Sequence, residues 1–336
     1  MTLLPPPSKT GTVGVESEGP SSVDGERLRG GTLVDRVYDG VTTCFAMCVP
    51  LLLLVLLYEV AKAGWPAFVE FGFGFLFTSD WDPVNMKFGA LPAIYGTLVS
   101  SLVALLIAAP LAIGVALYIA ELAPPWLRRP LGFFVDLLAA IPSVVYGLWG
   151  VFVLVPALRE YVMPFLRDTL HLGATPFFSG PAYGPSMLAA GVILAIMVLP
   201  YISSVSREVL LAVPRSQREA ALALGATRWE AIRGAVLPFA KSGIIGGIIL
   251  GLGRALGETM AVTMVIGNRH ELAASLFAPG YTIASLIANE FAEASGDMHL
   301  SALMAIGFVL FVITLVINAI ARWLVWRTAA QAKRTR

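Results

Sequence analysis

Six stretches of apolar residues, each close to the length of a membrane span, dominate the chain. They cover roughly residues 41–60, 88–120, 137–157, 186–206, 242–267 and 300–321. A helix rises about 1.5 Å per residue, so about 20 residues cross a hydrocarbon core of about 30 Å. Backbone amides and carbonyls find no water in that layer, so runs of this kind cross it as helices. The pattern predicts an all-α integral membrane fold, a bundle of six transmembrane helices. Gly96, Pro110 and Gly114 predict bends in the second run, and Pro200 predicts a kink in the fourth. Residues 1–35 are rich in Pro, Gly, Ser and mixed charge and predict a disordered tail. No apolar stretch starts before Val41, so the first run is expected to stay as a membrane helix rather than be removed as a signal peptide. Residues 36–325 then form one membrane domain, followed by a basic tail over 326–336.

Composition agrees with the pattern. Of 336 residues, 57% are hydrophobic and 13% charged, against about 25% charged in soluble domains. The net charge of +1 says little about partners, whereas the placement of charge says more. Of the 23 Lys and Arg, only Lys62, Lys87, Arg159, Arg167 and Arg269 fall in the loops on one side, and Arg254 lies inside a span. The rest lie at both ends and in the loops on the other side. This asymmetry predicts cytoplasmic N and C termini. The outer loops are acidic, through Asp80, Asp82, Glu160, Asp168, Glu271, Glu290, Glu293 and Asp297. Such a surface does not draw small anions from solution, so an anionic cargo needs another component to deliver it. Cys44 and Cys48 are the only cysteines. They share a helix face, form no disulfide framework, and are expected as small apolar packers.

Between the fourth and fifth runs, residues 207–240 carry local helix punctuation. Pro214 suits a helix start, 215–224 reads as a short helix, and Gly225 suits the left-handed residue that ends one. Thr227 and Glu230 have the spacing of a capping box for a second short helix, which Pro238 is expected to close.

The stretch EAALALGATRWEAIRGAVLP, residues 219–238, resembles the EAA loop of bacterial ABC import permeases. Glu219, Ala220, Ala221, Gly225, Leu237 and Pro238 fit that pattern, while Ala235 stands where the family carries Ile. With IPSVVYGLWG at 141–150 and GLGRALGETMAVTMVIGN at 251–268, the chain resembles the PstC-type permeases of high-affinity phosphate importers. That resemblance implies the type I ABC importer permease fold and a loop that docks on an ATPase. It also implies four kinds of partner: a PstA-type second permease, a PstB-type ATPase dimer, a periplasmic phosphate-binding protein and membrane lipid. No nucleic-acid partner and no metal site are expected. ATP and magnesium would be bound by the ATPase, because this chain lacks the phosphate-gripping G-x-x-x-x-G-K-[ST] loop; Lys241-Ser242 follows Ala240.

Arg254 and Glu258 lie deep in the fifth run. Four residues apart on a continuous helix, they would share one face. A bare charge at mid-membrane costs at least about 2.5 kcal/mol, so both must face protein or water. Either the pair satisfies itself and holds helices together, or Arg254 contacts a passing oxyanion through its planar fork, with Glu258 holding it between passages or taking a proton from a partly protonated phosphate. Thr259 offers a hydroxyl to the same path or simply packs, and Thr263 is read the same way. Gly251, Gly253 and Gly257 favour close helix approach. Pro142, Ser143 and Tyr146 mark a broken helix that either lines the path or is a packing kink. Residues 281–294 predict an amphipathic outer helix with Ile283, Leu286, Ile287 and Phe291 on one face.

Two other classes fit less well. A membrane protease needs paired aspartates, a zinc motif or a Ser-His arrangement inside the bundle, yet His171, His270 and His299 lie outside the apolar runs. A gradient-driven carrier or channel has no need of the 219–238 loop. Among oxyanions, sulfate and molybdate are the alternative cargoes, since the chemistry of Arg254 does not separate them from phosphate.

Overall fold

The computed structural model describes residues 33–294 and 296–334. The elements in chain order are α1 (Leu33–Phe71), α2 (Leu91–Leu117), α3 (Pro125–Ala140), α4 (Ser143–Trp149), α5 (Val155–Ala157), α6 (Met187–Leu211), α7 (Arg215–Ala223), α8 (Arg228–Ala231), α9 (Leu237–Gly257), α10 (Met260–Val265), α11 (Ile283–Glu290) and α12 (Asp297–Arg334). π-helical turns extend or join several of them, at Tyr118–Leu122, Gly150–Leu154, Leu158–Val162, Phe165–Thr169 and Ile232–Val236. Among the described residues, six helical runs are long and apolar enough to cross a membrane: Asp35–Leu76, Leu91–Leu122, Ser143–Thr169, Met187–Leu211, Arg228–Gly257 and Asp297–Arg327.

The number of runs matches the sequence pattern, and several boundaries do not. The third run starts at Ser143, not near residue 137, because Ile141 and Pro142 are extended and split off α3 as a separate amphipathic helix. Pro238 does not close the coupling segment. It sits at the start of α9, where a proline is tolerated, and the helix continues through it from Arg228. The expected disordered tail lies outside the described residues up to residue 32, and α12 continues through the expected basic tail to Arg334.

The chain divides into two units, residues 1–56 and 57–336. In the first, the described part of α1 is exposed throughout, and Cys44 and Cys48, expected as small apolar packers, are free thiols on its exposed surface.

In the second unit α6 is central: two-thirds of its apolar window is buried. Ser186 caps its start by accepting the Ala189 N–H at 3.2 Å. Its main partners are α2 and α9. Gly243, Gly247 and Gly251, each a turn apart on α9, face Val209, Val205 and Ile202 of α6. A Cβ on Gly251 would lie 2.6 Å from Ile202 Cγ1, so this face permits a close approach only to glycine. Gly251 thus packs as its sequence suggests, whereas Gly253 and Gly257 face open space and Gly243 and Gly247 take their expected role.

A second seam ties α3 to α6, where the Ser204 hydroxyl donates to Asp136 at 2.9 Å and Arg207 reaches the same carboxylate at 3.4 Å. At one end of the bundle lie α7, α8 and the ends of α2 and α6. At the opposite end, α11 buries Ile283 and Leu286 against the core as its amphipathic pattern predicts, while Phe291 remains 49% exposed.

Candidate functional site

Arg254 is held by α6. Its Nη1 donates to the Tyr201 hydroxyl at 2.8 Å, and its guanidinium carbon lies 4.1 Å from the centre of the Tyr201 ring. Tyr201 sits ten residues before the end of α6 at Leu211, about 15 Å along the axis, which puts the pair in the interior of the spans. The Arg254 Nε–H is buried and has no hydrogen-bond partner. Among the described residues no ion pair joins Arg254 to Glu258.

The reason is a break in the helix. α9 stops at Gly257, and Glu258 adopts an extended backbone with φ −71° and ψ 125°. The shared face expected of Arg254 and Glu258 therefore does not exist, and Glu258 does not hold Arg254. The Glu258 carboxylate instead turns to the start of α10, with Oε1 3.5 Å from the Ala261 N–H, where an acidic group complements the helix dipole. Thr259 occupies the break, its hydroxyl 3.3 Å from the Gly257 carbonyl, and Thr263 donates to the Thr259 carbonyl at 2.7 Å.

The α3–α4 break approaches the same place. Tyr146 is buried, within electrostatic range of both Arg254 and Tyr201. Its hydroxyl donates to the Leu138 carbonyl at 2.9 Å, closing one orphan acceptor at the end of α3. Gly147 lets α4 lie against α10, since a Cβ there would sit 3.1 Å from Ala261 Cα. An apolar hollow of about 290 Å³, lined by Ile141, Val145, Tyr146, Trp149 and Ile196, opens beside the break. Ser143 opens α4 and is half-buried.

The 207–240 segment has the local geometry its sequence predicts. Gly225 takes φ +86° after α7. Thr227 accepts the Glu230 N–H at 3.3 Å, and Glu230 accepts the Thr227 N–H at 2.8 Å, completing the capping box. Glu219 and Ala220 are exposed, Ala221 is half-buried, and Leu237 and Pro238 begin α9. Leu222, Leu224 and Trp229 are exposed around them, at 47%, 90% and 58%. Large apolar side chains presented beside an unpaired carboxylate mark an interaction surface.

The family model for the binding-protein-dependent transport system inner membrane component matches residues 108–329, which contain both arrangements. Phosphate transport system permease protein PstC of Mesorhizobium japonicum is 48% identical over 89% of this chain and 92% of that protein. Its counterpart in Pasteurella multocida is 47% identical over 88% of this chain and 92% of that protein. The chain belongs to the PstC-type permease family. Among solved structures, a bacterial ABC transporter involved in the import of the acidic polysaccharide alginate covers 87% of this chain and 99% of its own, with a TM-score of 0.57 at 21% identity. That likeness establishes the type I ABC importer permease fold. The PstC-type chain is accordingly a multi-pass membrane protein.

Several structural partners in this PstC-type chain escape a sequence reading. Tyr201 is one; the available signal was a hydroxyl-bearing aromatic at mid-span, the kind of residue that can receive a buried guanidinium. Arg218 and Glu121 form a second, largely buried pair at 2.6 Å. The third is a cluster at the α11 end, where Glu290 accepts the Trp81 indole N–H at 2.6 Å and faces His270 Nε2 at 3.0 Å and His299 Nε2 at 2.9 Å. The Trp81 ring stacks on His270, with centroids 5.6 Å apart. Burial of Glu290 would raise its pKa, but the bonds from His270, His299 and Trp81 outweigh burial and hold its carboxyl below the usual range.

Proposed function

We propose that this chain is the transmembrane permease subunit of an ATP-driven phosphate importer. With a PstA-type permease it forms the path of inorganic phosphate from a periplasmic binding protein to the cytoplasm. A PstB-type dimer supplies ATP hydrolysis, with ATP and magnesium bound there. Both termini lie in the cytoplasm, with α7 and α8 on that side and α11 outside, a reading the Lys and Arg asymmetry supports.

The observation that carries this proposal is Arg254: a guanidinium in the interior of the spans, bonded to a neutral tyrosine, with Nε unpartnered and, among the described residues, no carboxylate in an ion pair with it. A buried charge without a counter-charge is costly and is retained where a counter-ion passes. The planar fork suits the oxygens of a tetrahedral anion. Glu258, free of Arg254, is the acceptor for a P–O–H hydrogen, which sulfate lacks at neutral pH. Thr259 at the break and Ser143 and Tyr146 at the α4 start complete the polar lining. Glu219, Ala220, Ala221, Gly225, Leu237 and Pro238 shape the segment that docks on the ATPase, with Glu219 exposed for a cationic partner group.

The test is uptake of labelled phosphate at low external concentration, in cells lacking their own importers and carrying this chain with its partners. Excess unlabelled sulfate or molybdate is added in parallel. ATP-dependent uptake insensitive to both anions is expected. An assembled complex that takes up no phosphate, or whose uptake sulfate abolishes, would reject the substrate.

A further inference from the structure

Arg218 is the most heavily bonded cation among the described residues. Its Nε donates to both Glu121 oxygens at 3.0 and 3.2 Å, and Nη2 donates to Glu121 Oε1 at 2.6 Å. Nη1 donates to the Val213 carbonyl at 2.6 Å, and Nη2 also reaches the Leu210 carbonyl at 2.9 Å. The two side chains are 23% and 11% exposed, so the pair is largely out of water.

These bonds join three elements. Arg218 lies in α7. Glu121 lies in the π-turn that ends the α2 span, Leu210 lies at the C-terminal end of α6, and Val213 lies two residues past that end. The Leu210 carbonyl, at the frayed end of α6, accepts the Val213 N–H at 3.3 Å and takes the Arg218 Nη2 as a second donor.

Close packing does not fasten α7. None of its nine residues is buried. Two hollows, of about 130 Å³ and about 370 Å³, both have Arg218 and Glu121 in their lining. The guanidinium spans this loosely packed floor.

We propose that Arg218 is the positioning residue that carries displacement of α7 into α2 and α6. One fork grips the ends of both spans, so α7 cannot move without moving them. α6 and α2 pack on each other more extensively than any other pair of elements. Tyr201, the partner of Arg254, rides on α6 about 15 Å from the gripped end. Movement at α7 thereby reaches the anion site along one rigid helix. Lysine cannot replace the fork, because a single ammonium does not reach a bidentate carboxylate and two carbonyls in this geometry. The inference rests on the proposal that α7 docks on the ATPase.

The test uses the full complex with ATPase, second permease and binding protein in proteoliposomes, measuring ATP hydrolysis and phosphate entry on the same vesicles. The variants are Arg218→Lys and Glu121→Gln, with Arg215→Gln as control, since Arg215 lines the larger hollow but bonds to neither span. Phosphate entry per ATP is expected to fall about tenfold or more in both test variants, as breaking a buried ion pair is strongly disruptive. ATP hydrolysis and ATPase retention should persist, and Arg215→Gln should match wild type. Glu121→Gln leaves α7 intact and carries the test if Arg218→Lys fails to assemble. An unchanged ratio, whether both rates fall together or neither falls, would overturn the role of Arg218. Failure of the wild-type chain to retain the ATPase would overturn the docking proposal and this inference with it.

Discussion

Arg254 donates a 2.8 Å hydrogen bond to the Tyr201 hydroxyl and rests on the face of the same ring. A neutral partner on a neighbouring helix holds the charge in place without cancelling it. A carboxylate in the same position would neutralise the guanidinium and compete directly with an arriving anion. Tyrosine orients the fork, and its own hydroxyl hydrogen remains free to be donated onward.

Tyr201→Phe tests this division of labour. The ring and its cation–π contact stay, and the hydroxyl goes. A hydrogen bond to a charged group contributes roughly 1.5–3 kcal/mol, which corresponds to roughly a ten- to hundredfold effect if all of it serves positioning. Uptake is expected to fall within that range in a complex that still assembles. Tyr201→Ala removes the ring as well and should lower uptake further. Arg254→Gln should abolish most uptake while leaving assembly intact. Initial rates of labelled phosphate uptake by the purified, quantified complexes decide the matter; wild-type rates in Tyr201→Ala would remove Tyr201 from the path.

Register between α6 and α9 depends on Gly251, which lies one helical turn before Arg254 and against Ile202, the neighbour of Tyr201. Gly251→Ala places a Cβ 2.6 Å from Ile202 Cγ1 and forces the helices apart. Overpacking of this kind costs about 1–3 kcal/mol. Lower thermal stability and reduced uptake are expected. Ile202→Ala in the same chain makes room and should restore a good part of both. Failure of the second substitution to restore either property would show that the contact does not set the spacing.

The spans were legible because length and apolarity alone specify a membrane helix. The capping box of Thr227 and Glu230 was legible because its partners are three residues apart, and Gly225 because its turn demands a positive φ. Other features depend on tertiary structure. The break at Glu258 follows no proline, so a continuous helix was the natural expectation, and with it an Arg254–Glu258 face that the fold does not form. The cost of a bare Arg254 announced that a partner exists, but Tyr201 is 53 residues away and meets it only through α6–α9 packing. The same distance problem hid Arg218–Glu121, 97 residues apart, and Trp81–Glu290, 209 residues apart. Gly253 and Gly257 had the composition of a packing face, yet only the phase of α9 relative to α6 shows that Gly243, Gly247 and Gly251 form it.

Glu290 gathers His270, His299 and Trp81 from separate segments and is held below the usual carboxylate range by their bonds, against the effect of burial. A carboxyl with a depressed folded value stabilises the fold above its ordinary pKa and loses that contribution as pH falls through the folded value. The acid-labile window therefore begins near the ordinary value of 4.5 and extends below it. Glu290→Gln should lower the melting temperature of the complex at neutral pH and flatten its decline below that window. Thermal unfolding measured across the acid range checks both effects. A variant as stable as wild type at neutral pH, with the same acid profile, would show that the cluster fastens nothing.

Glu219 presents an unpaired carboxylate on the open face of α7, flanked by Leu222, Leu224 and Trp229. Because nothing among the described residues pairs with it, reversal to lysine should leave the fold of the permease intact. The effect should fall on a partner whose surface is cationic there. Like charges brought together at such a contact cost several kcal/mol, enough to reduce binding by roughly a hundredfold or more. Glu219→Lys is therefore expected to lose the co-purifying ATPase and phosphate uptake together, while the second permease is retained and the melting temperature of the pair is unchanged. Leu224→Ala, which removes exposed apolar surface without changing charge, should weaken ATPase retention less. Full retention of the ATPase by Glu219→Lys would place the docking surface elsewhere.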